Sequence, residues 1–267
     1  GMTLAIVGKP NVGKSSMVNQ ILGEHRMLVS NVAGTTVDSV DTEFVYKNKK
    51  YILVDTAGLR RSARRTEGIE IISAFKSHDA IGRADLVLLM IDANEGPSEQ
   101  DAKILEAILE THRAVVVVAN KVDIAEAEMD DYKAWFKEKI SREFHFFADI
   151  PIVFTSAKTG RGVRELFQKI EDIHEKLMLK IPTGELNDFF TNVIRLAPAP
   201  VYGTTNVKFY YLTQTKQVPP AFIAFANQPD GVTPSYRRFL AKKIQEHWGL
   251  EGIPVRIFVM KSGGRQL

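Results

Sequence analysis

The sequence predicts an α/β fold in which a doubly wound sheet is followed by a small α+β unit. Apolar strand-like runs alternate with amphipathic helical stretches over residues 1–181, and this alternation is typical of a sheet with helices on both faces. The runs LVLLMID and AVVVVAN are apolar on both faces, as expected of buried parallel strands. The alternation stops near Pro182, so we expect domains at residues 1–181 and 182–267.

The elements of the first domain follow from the period of the apolar residues. The expected strands are Leu4–Val7, Asp41–Tyr46, Tyr51–Asp55, Leu86–Asp92, Ala114–Asn120 and Ile152–Thr155. The expected helices lie near Lys14–Leu22, Gly68–Ile81, Ser98–Thr111, Asp131–Phe144 and Gly162–Leu179. Ligands of doubly wound sheets bind beyond the carboxyl ends of the strands, so we expect the functional residues in the loops that follow them.

The second domain has a different order of elements. We expect a helix at Thr183–Leu196, strands near Asn206–Thr213 and Pro220–Ala226, a helix from Pro234 to Trp248, and a strand over Pro254–Met260. The string GLEG at 249–252 has the GxxG spacing with which KH domains clamp RNA. Because it lies between a helix and a strand and contains an acid, we interpret it as a helix C-cap and turn.

The amino-acid composition excludes several kinds of functional site. The 267 residues contain no cysteine, which excludes disulfides, thiolate metal sites and cysteine nucleophiles. The net charge is +3, but residues 182–267 carry 10 Lys/Arg against 5 Asp/Glu, a local charge of +5. A basic domain favours polyanions such as RNA, although a solvated basic face is the alternative. No apolar run approaches the ~20 residues that cross a bilayer, and no signal-peptide pattern opens the chain, so we expect a cytoplasmic protein.

A phosphate-binding loop follows the first strand. Residues 8–15, GKPNVGKS, match GxxxxGK[ST] between a strand and a helix, which is the context that this motif requires. Its backbone N–H groups and the helix N-terminus can bind phosphate oxygens, Lys14 can reach the β- and γ-phosphates, and Ser15 can hold Mg²⁺. The motif alone does not separate ATP from GTP. The expected phosphate-binding residues are Gly8, Asn11, Val12, Gly13, Lys14, Ser15, Ser16, Asp55 and Gly58.

Three further motifs follow later strands. In DTAG, Asp55 can hold Mg²⁺ and Gly58 permits close approach to a γ-phosphate. In NKVD, the Asp123 carboxylate can accept hydrogen bonds from two guanine N–H groups that adenine cannot offer, which selects GTP. In the segment SAK, residues 156–158, backbone N–H groups can contact guanine O6. The expected guanine-binding residues are Asn120, Lys121, Asp123, Ser156, Ala157 and Lys158.

These motifs resemble a known family. GKPNVGKSS, AGTT, DTAGLRR, NKVD and TSAKTG resemble the Era/TrmE/Der branch of P-loop GTPases, and SYRRFLAKKIQEHWGLEGIPVRI resembles the KH-like domain of the Der (EngA) family. Members of that family carry two G domains in tandem. The resemblance implies a second G domain joined to a KH-like domain, with a first G domain N-terminal to this sequence.

The resemblance also implies a function. A GTP switch would hydrolyse GTP to GDP and phosphate during assembly and stabilisation of the large (50S) ribosomal subunit. Its partners would be GTP and GDP, the large subunit and its rRNA, and the first G domain of the same protein, with no membrane partner and a monomeric state. The alternatives are a GTP-binding module with negligible turnover that docks on the ribosome or RNA, and a P-loop kinase, which would leave NKVD and SAK without a role.

The catalytic assignments rest on the same resemblance. It implies Lys14, Gly58 and Thr36 as catalytic residues, and Ser15, Asp55 and Thr36 as Mg²⁺ ligands, with Thr35 as the alternate to Thr36. Residue 59 is Leu, which cannot orient the attacking water as the Gln of Ras-like GTPases does.

The resemblance implies that a monovalent cation takes over the role of this missing Gln. Some relatives bind K⁺ through an Asn of the phosphate loop, and Asn11 stands at that position. The alternative is that Asn11 only braces the loop. The four arginines Arg60, Arg61, Arg64 and Arg65 could contact RNA, contact the KH-like domain, or be solvated.

Overall fold

A computed structural model of the chain describes residues 1–23, 27–33, 40–56, 59, 78–124, 129–145, 149–250 and 252–262. Residues 27–33, 40 and 129 are described by their backbone alone. The chain divides into two compact units, Gly1–His174 and Glu175–Leu267. The expected boundary between residues 181 and 182 stays a prediction.

The first unit is built on a seven-stranded sheet. Its strands are β1 (Met2–Gly8), β2 (Met27–Ala33), β3 (Val40–Tyr46), β4 (Lys49–Leu53), β5 (Leu86–Asp92), β6 (Ala114–Asn120) and β7 (Ile152–Phe154). They lie in the order β2-β3-β4-β1-β5-β6-β7. Strands β4, β1, β5, β6 and β7 pair in parallel, whereas β2, β3 and β4 pair antiparallel.

Helices connect the parallel strands of this sheet. The described helices are α1 (Lys14–Leu22), α2 (Glu99–Glu110), α3 (Met129–Glu143) and α4 (Val163–Leu177), and residues 78–83 are also helical. Every residue of β5 and β6 is buried, because helices cover both faces of the sheet. The predicted α/β class is confirmed.

Two expectations at the antiparallel edge need correction. Strand β2 was not predicted, since its polar Ser30 and Asn31 interrupt the apolar pattern and its pairing with β3 has an irregular register between Leu28 and Ser30. The expectation that Asp55 ends a strand is wrong, because β4 ends at Leu53 and Asp55 has a φ of +54°. Residues 68–77 of the predicted helix Gly68–Ile81 lie outside the described part of the chain.

The second unit places two helices on a three-stranded sheet. Its elements are α5 (Thr183–Leu196), β8 (Phe209–Gln214), β9 (Ala221–Ala226), α6 (Pro234–His247) and β10 (Arg256–Lys261). Strand β9 is central; it pairs antiparallel with β8 and parallel with β10. An aromatic cluster joins helices to sheet, with ring centroids 5.4 Å apart for Phe190 and Phe209 and 5.9 Å apart for Phe209 and Tyr236.

Local hydrogen bonds define both ends of α6. The Thr233 hydroxyl accepts from the Tyr236 N–H at 3.1 Å and Pro234 occupies the first turn, as helix starts favour. Past the other end, Gly249 has a φ of +62° and the Leu250 N–H donates to the Gln245 carbonyl at 2.8 Å. This is the Schellman arrangement, so the interpretation of GLEG as a helix C-cap is confirmed for its described residues.

No helix in the described part of the chain is both long and apolar enough to span a bilayer.

Gly162 is expected to tolerate no side chain. Its φ is +78°, and a Cβ there would lie 2.0 Å from the carbonyl oxygen of Phe154 in β7. Because both the backbone conformation and the contact are unfavourable, Gly162→Ala should lower the free energy of unfolding by about 2 kcal/mol or more. Urea unfolding followed by circular dichroism measures this change.

Gly82→Ala is the matched control, since Gly82 is helical and a Cβ there meets no atom within 4 Å. This variant should be neutral or stabilised by up to about 1 kcal/mol. Equal effects of the two substitutions would contradict the steric argument.

Candidate nucleotide-binding site

The phosphate-binding loop lies between β1 and α1, at the carboxyl end of a central strand. Asn11 and Gly13 have φ values of +64° and +101°, which turn the backbone sharply before the helix. A Cβ at Gly13 would lie 2.3 Å from Nδ2 of Asn120, so only glycine fits. Val12 is buried in the loop, whereas Ser16 is exposed on the first turn of α1.

Lys14 lies across this loop. Its Nζ donates to the carbonyl oxygens of Gly8 at 2.6 Å and Lys9 at 2.8 Å. Burial lowers the pKa of the Lys14 ammonium to about 8, since desolvation disfavours its charged form. A phosphate group beside Nζ would favour the charge again.

The start of α1 contacts the segment that carries DTAG. The Ser15 hydroxyl donates to the Leu59 carbonyl at 2.6 Å. The Asp55 N–H donates to Oδ1 of Asp41 at 3.0 Å, and Arg83 forms an ion pair with the same carboxylate. The contact with Asp41 supports the left-handed conformation of Asp55, and the Ser15–Leu59 contact links α1 to the segment that carries DTAG.

Several expected residues lie outside the described part of the chain. They are Gly58, Thr35, Thr36 and the four arginines Arg60, Arg61, Arg64 and Arg65.

Asn120 joins three loops through one buried amide. Its Nδ2 donates to the Val12 carbonyl at 2.9 Å, which fixes the phosphate-binding loop. Its Oδ1 accepts from the Thr155 hydroxyl at 3.2 Å and from the Ala157 N–H at 2.9 Å, which fixes the SAK loop. The side chain therefore positions the proposed phosphate and guanine contacts relative to each other.

Lys121 forms a second link across the site. Its Nζ lies 2.9 Å from Oδ2 of Asp92 and donates to the Asn11 carbonyl at 2.6 Å. Burial acts to raise the pKa of Asp92, but hydrogen bonds from Lys121 and from the N–H groups of Asn94 and Glu95 outweigh it and hold this pKa below its ordinary value. The carboxylate thus stays ionised and keeps Lys121 over the loop.

Asp123 is exposed in a short 3₁₀ turn after β6, where a base can reach it. The Ser156 hydroxyl donates to its Oδ1 at 2.7 Å and accepts from the Thr159 N–H at 3.2 Å. Ser156 of the SAK loop thus orients the Asp123 carboxylate. Lys158 is exposed beside it.

Sequence reasoning did not identify the residues that position the ligating groups. These are Asp41, Arg83, Asp92 and Thr155. Asp92 could have been predicted from the sequence, because it ends β5 as Asn120 ends β6. The two residues are paired in the sheet register.

Lys9 was also missed. Its Nζ lies 3.6 Å from Oδ2 of Asp101, a buried carboxylate whose Oδ1 has no hydrogen-bond partner in the described structure. Within the described residues, no group of three or more His, Asp or Glu side chains could form a metal site.

Comparison with known proteins finds similar families and relatives. The family model described as "50S ribosome-binding GTPase" matches residues 3–121, and the "KH-domain-like of EngA bacterial GTPase enzymes, C-terminal" matches residues 180–260. GTPase Der of Caldanaerobacter subterraneus subsp. tengcongensis is 42% identical over 260 residues, which are 97% of this chain and 59% of that protein. GTPase Der of Moorella thermoacetica is 40% identical over 99% of this chain and 60% of its own length.

The chain therefore spans about three fifths of the curated relatives that it matches. Among solved structures, Aquifex aeolicus Era bound to GDP and AlF4⁻ aligns with a TM-score of 0.47 at 22% identity, covering 97% of this chain and 92% of Era. The G domain of the T. maritima FeoB iron transporter aligns with a TM-score of 0.43 at 29% identity, covering 64% of this chain and 97% of that domain.

Nucleotide binding is expected to take up a proton above pH 8. Because the pKa of Lys14 is about 8, its amine is mostly neutral at pH 8.5, and the phosphates of GDP would restore its charge. Binding should then take up about 0.7 proton at pH 8.5 and about 0.1 at pH 7.0. Isothermal titration in buffers of different ionisation enthalpy measures this uptake. Equal uptake at the two pH values would contradict the assigned pKa.

Proposed function

Because this chain is a homologue of GTPase Der, we propose that its first unit binds GTP and hydrolyses it to GDP and phosphate as a molecular switch. The observation that carries the proposal is the Asn120 amide, which holds the phosphate-binding loop and the SAK loop at one end of the sheet. A P-loop kinase would not need this link to a guanine-reading loop.

The phosphates and Mg²⁺ would bind at the start of α1. Lys14 would exchange its contacts with the loop carbonyls for the β- and γ-phosphates. The Ser15 hydroxyl and the Asp55 carboxylate are the hard oxygen donors that Mg²⁺ prefers, and the Ser15–Leu59 contact brings their segments together. Thr36 would complete the set, and Gly58 would approach the γ-phosphate through its backbone. Bound Mg²⁺ would neutralise phosphate charge.

Guanine would bind on the other side of Asn120. The Asp123 carboxylate, oriented by Ser156, would accept from N1–H and the exocyclic amino group of the base. Lys121 would flank the base plane, since its ammonium is held at Asp92 and Asn11. Backbone N–H groups of the SAK loop, Ser156, Ala157 and Lys158, would face guanine O6. This arrangement rejects adenine, which offers no matching pair of donors.

Hydrolysis needs a group that replaces the Gln of Ras-like GTPases, since Leu59 has an apolar side chain. We propose that Asn11 contributes a ligand for K⁺ beside the phosphates. The Asn11 carbonyl already accepts from Lys121, which leaves its side-chain amide oxygen as the group for a cation. A cation there would offset charge that develops on the phosphates.

The GTPase proposal predicts faster single-turnover hydrolysis of GTP in KCl than in NaCl. Asn11→Ala should reduce the rate in KCl toward the rate in NaCl, an expected change of about 10²-fold if the cation replaces one stabilising contact. Rapid-quench measurement of phosphate release checks this. Equal rates in both salts would remove K⁺ from the proposal and leave the GTPase intact.

Asp123→Asn is the control for nucleotide choice in the same assay. It should bind GTP about 10²-fold or more weakly, because two hydrogen bonds to a charged acceptor are lost, and it should accept xanthosine triphosphate instead. No hydrolysis of GTP by the unmodified chain in either salt would favour the second candidate, a GTP-binding module with negligible turnover.

We further propose that the switch acts on the large ribosomal subunit, in its assembly and stability, with rRNA among the contacts. The description of the matched family and the basic second unit support this partner. A ribosomal partner would make the protein cytoplasmic. The first G domain of the relatives would influence this half in the full-length protein.

Nucleotide-dependent binding is the expected result of co-sedimentation with purified large subunits. The chain should pellet with a non-hydrolysable GTP analogue and remain in the supernatant with GDP, because a switch reads the γ-phosphate that only the GTP analogue carries. Small subunits are the control. Equal pelleting in both nucleotide states would contradict the switch. If the chain pellets in neither state, docking requires the part of the relatives that this chain does not cover.

A further inference from the structure

The three-stranded sheet of the second unit has two unlike faces. The face toward α5 and α6 is apolar and closed, with Phe209, Leu212, Phe222 and Ile257 all buried. The other face, which we call the outer face, carries the large side chains Tyr210, Tyr211, Ile223, Phe225, Phe258 and Met260. Burial of the helical face accounts for the packing of this unit, and the outer face takes no part in it.

A bulge in β8 enlarges the outer face. The register shifts between Phe209, which pairs with Ala226, and Tyr211, which pairs with Phe225. In an unbroken strand, two consecutive tyrosines would point to opposite faces. Phe209 and Leu212 on either side are both buried, whereas Tyr210 and Tyr211 are 50% and 40% exposed. The extra residue thus presents two tyrosines on one side of the sheet.

The exposed side chains form rows across the strands. The rings of Tyr211 and Phe225 stack with centroids 4.4 Å apart, and Met260 pairs with Phe225 on the far side and is 51% exposed. In the next row Phe258, 39% exposed, pairs with Ile223. Strands lie about 4.8 Å apart, so the Tyr211 and Phe258 rings stand roughly 10–12 Å from each other. Two planar groups can bind them separately.

Positive charge accompanies these rings. Lys208 Nζ lies 5.8 Å from the centroid of the Tyr210 ring, and the Arg256 guanidinium carbon lies 5.5 Å from that of Phe258. None of the three strands contains an acidic residue. Among the described residues from 182 onward, the acidic side chains lie on helices or in a turn, at Glu185, Asp188, Asp230 and Glu246.

We propose that this outer face binds single-stranded RNA, with bases stacked on Tyr210, Tyr211 and Phe258 and with Lys208 and Arg256 near the phosphates. Exposed rings with adjacent cations match a polyanion that has planar apolar groups, and a single strand exposes base faces that a duplex hides. A protein partner would have to supply a carboxylate at each cation as well as apolar groups at the rings, whereas every nucleotide of a single strand carries both a phosphate and a planar base. The inference extends the proposed rRNA contact, on which it rests, and assigns it a surface other than a GxxG loop.

Fluorescence anisotropy with a labelled 12-nucleotide oligouridine tests the site in the whole chain. Tyr210→Ala, Tyr211→Ala and Phe258→Ala should each weaken binding about 10-fold, because each removes a stacking ring. Tyr210→Phe should retain wild-type affinity. Lys208→Gln should reduce the slope of log affinity against log salt by about 0.7.

Leu196→Ala, at a residue 79% exposed on α5, is the matched control and should bind oligouridine as the unmodified chain does. A hairpin duplex should bind more weakly than the single strand. Alanine variants with unchanged affinity, or an unmodified chain that prefers the duplex or does not bind oligouridine, would overturn the proposal. If the alanine variants change the oligomeric state of the chain but not its affinity for RNA, the face binds a second copy of the chain and the RNA assignment is wrong.

Cross-linking keeps the test independent of variants that fail to fold. RNA containing 4-thiouridine should form adducts on β8 and β10, and adducts confined to α6 would contradict the proposed surface. GTP hydrolysis is measured for every variant. A variant that loses RNA binding but hydrolyses GTP normally shows that the RNA site is distinct from the nucleotide site. A chain that binds RNA but does not hydrolyse GTP contradicts the GTPase proposal and not the RNA site.

Discussion

The buried Asn120 amide is the interaction on which the nucleotide site depends. It donates to the phosphate-binding loop and accepts from two groups beside the SAK loop, so one planar side chain sets the relative position of both. It also explains why residue 13 is glycine, since Nδ2 occupies the place of a Cβ there. A buried amide with all three contacts satisfied is costly to disturb, because loss of any one leaves a polar group without a partner.

Three residues of the candidate site have strained backbone conformations. Asn11, Asp55 and Lys121 all have positive φ values, which non-glycine residues rarely adopt. Each is held by named contacts: Lys121 by Asp92, Asn11 by Lys121, and Asp55 by Asp41. Residues in such conformations persist where the surrounding structure determines them, and they gather at functional sites. The charged pair of Asp92 and Lys121 therefore supports the loop that would bind phosphate.

Much of the fold could be predicted from sequence, and the parts that could not share a physical cause. Strands β5 and β6 were predicted to the residue because burial on both faces leaves an uninterrupted apolar run. Strand β2 was missed because an irregular edge strand has a mixed pattern. Motif spacing identified Asn120 as a guanine-binding candidate but not as a link between loops, since hydrogen bonds between distant segments leave no local pattern. The outward pair Tyr210 and Tyr211 depends on a bulge, which alternation alone cannot predict.

The same amide has a consequence for synthesis of the protein. The hydrogen bond from Asn120 to Val12 spans 108 positions of the chain, and the one to Ala157 spans another 37. Contacts between such distant positions carry a large loop-closure entropy, which falls once the strands between them have paired. A nascent chain that has reached only α1 would display the complete phosphate-binding motif without the groups that shape it. Nucleotide affinity would therefore appear only after Ala157 has left the exit tunnel, and bound nucleotide would stabilise the whole sheet over its partly folded forms.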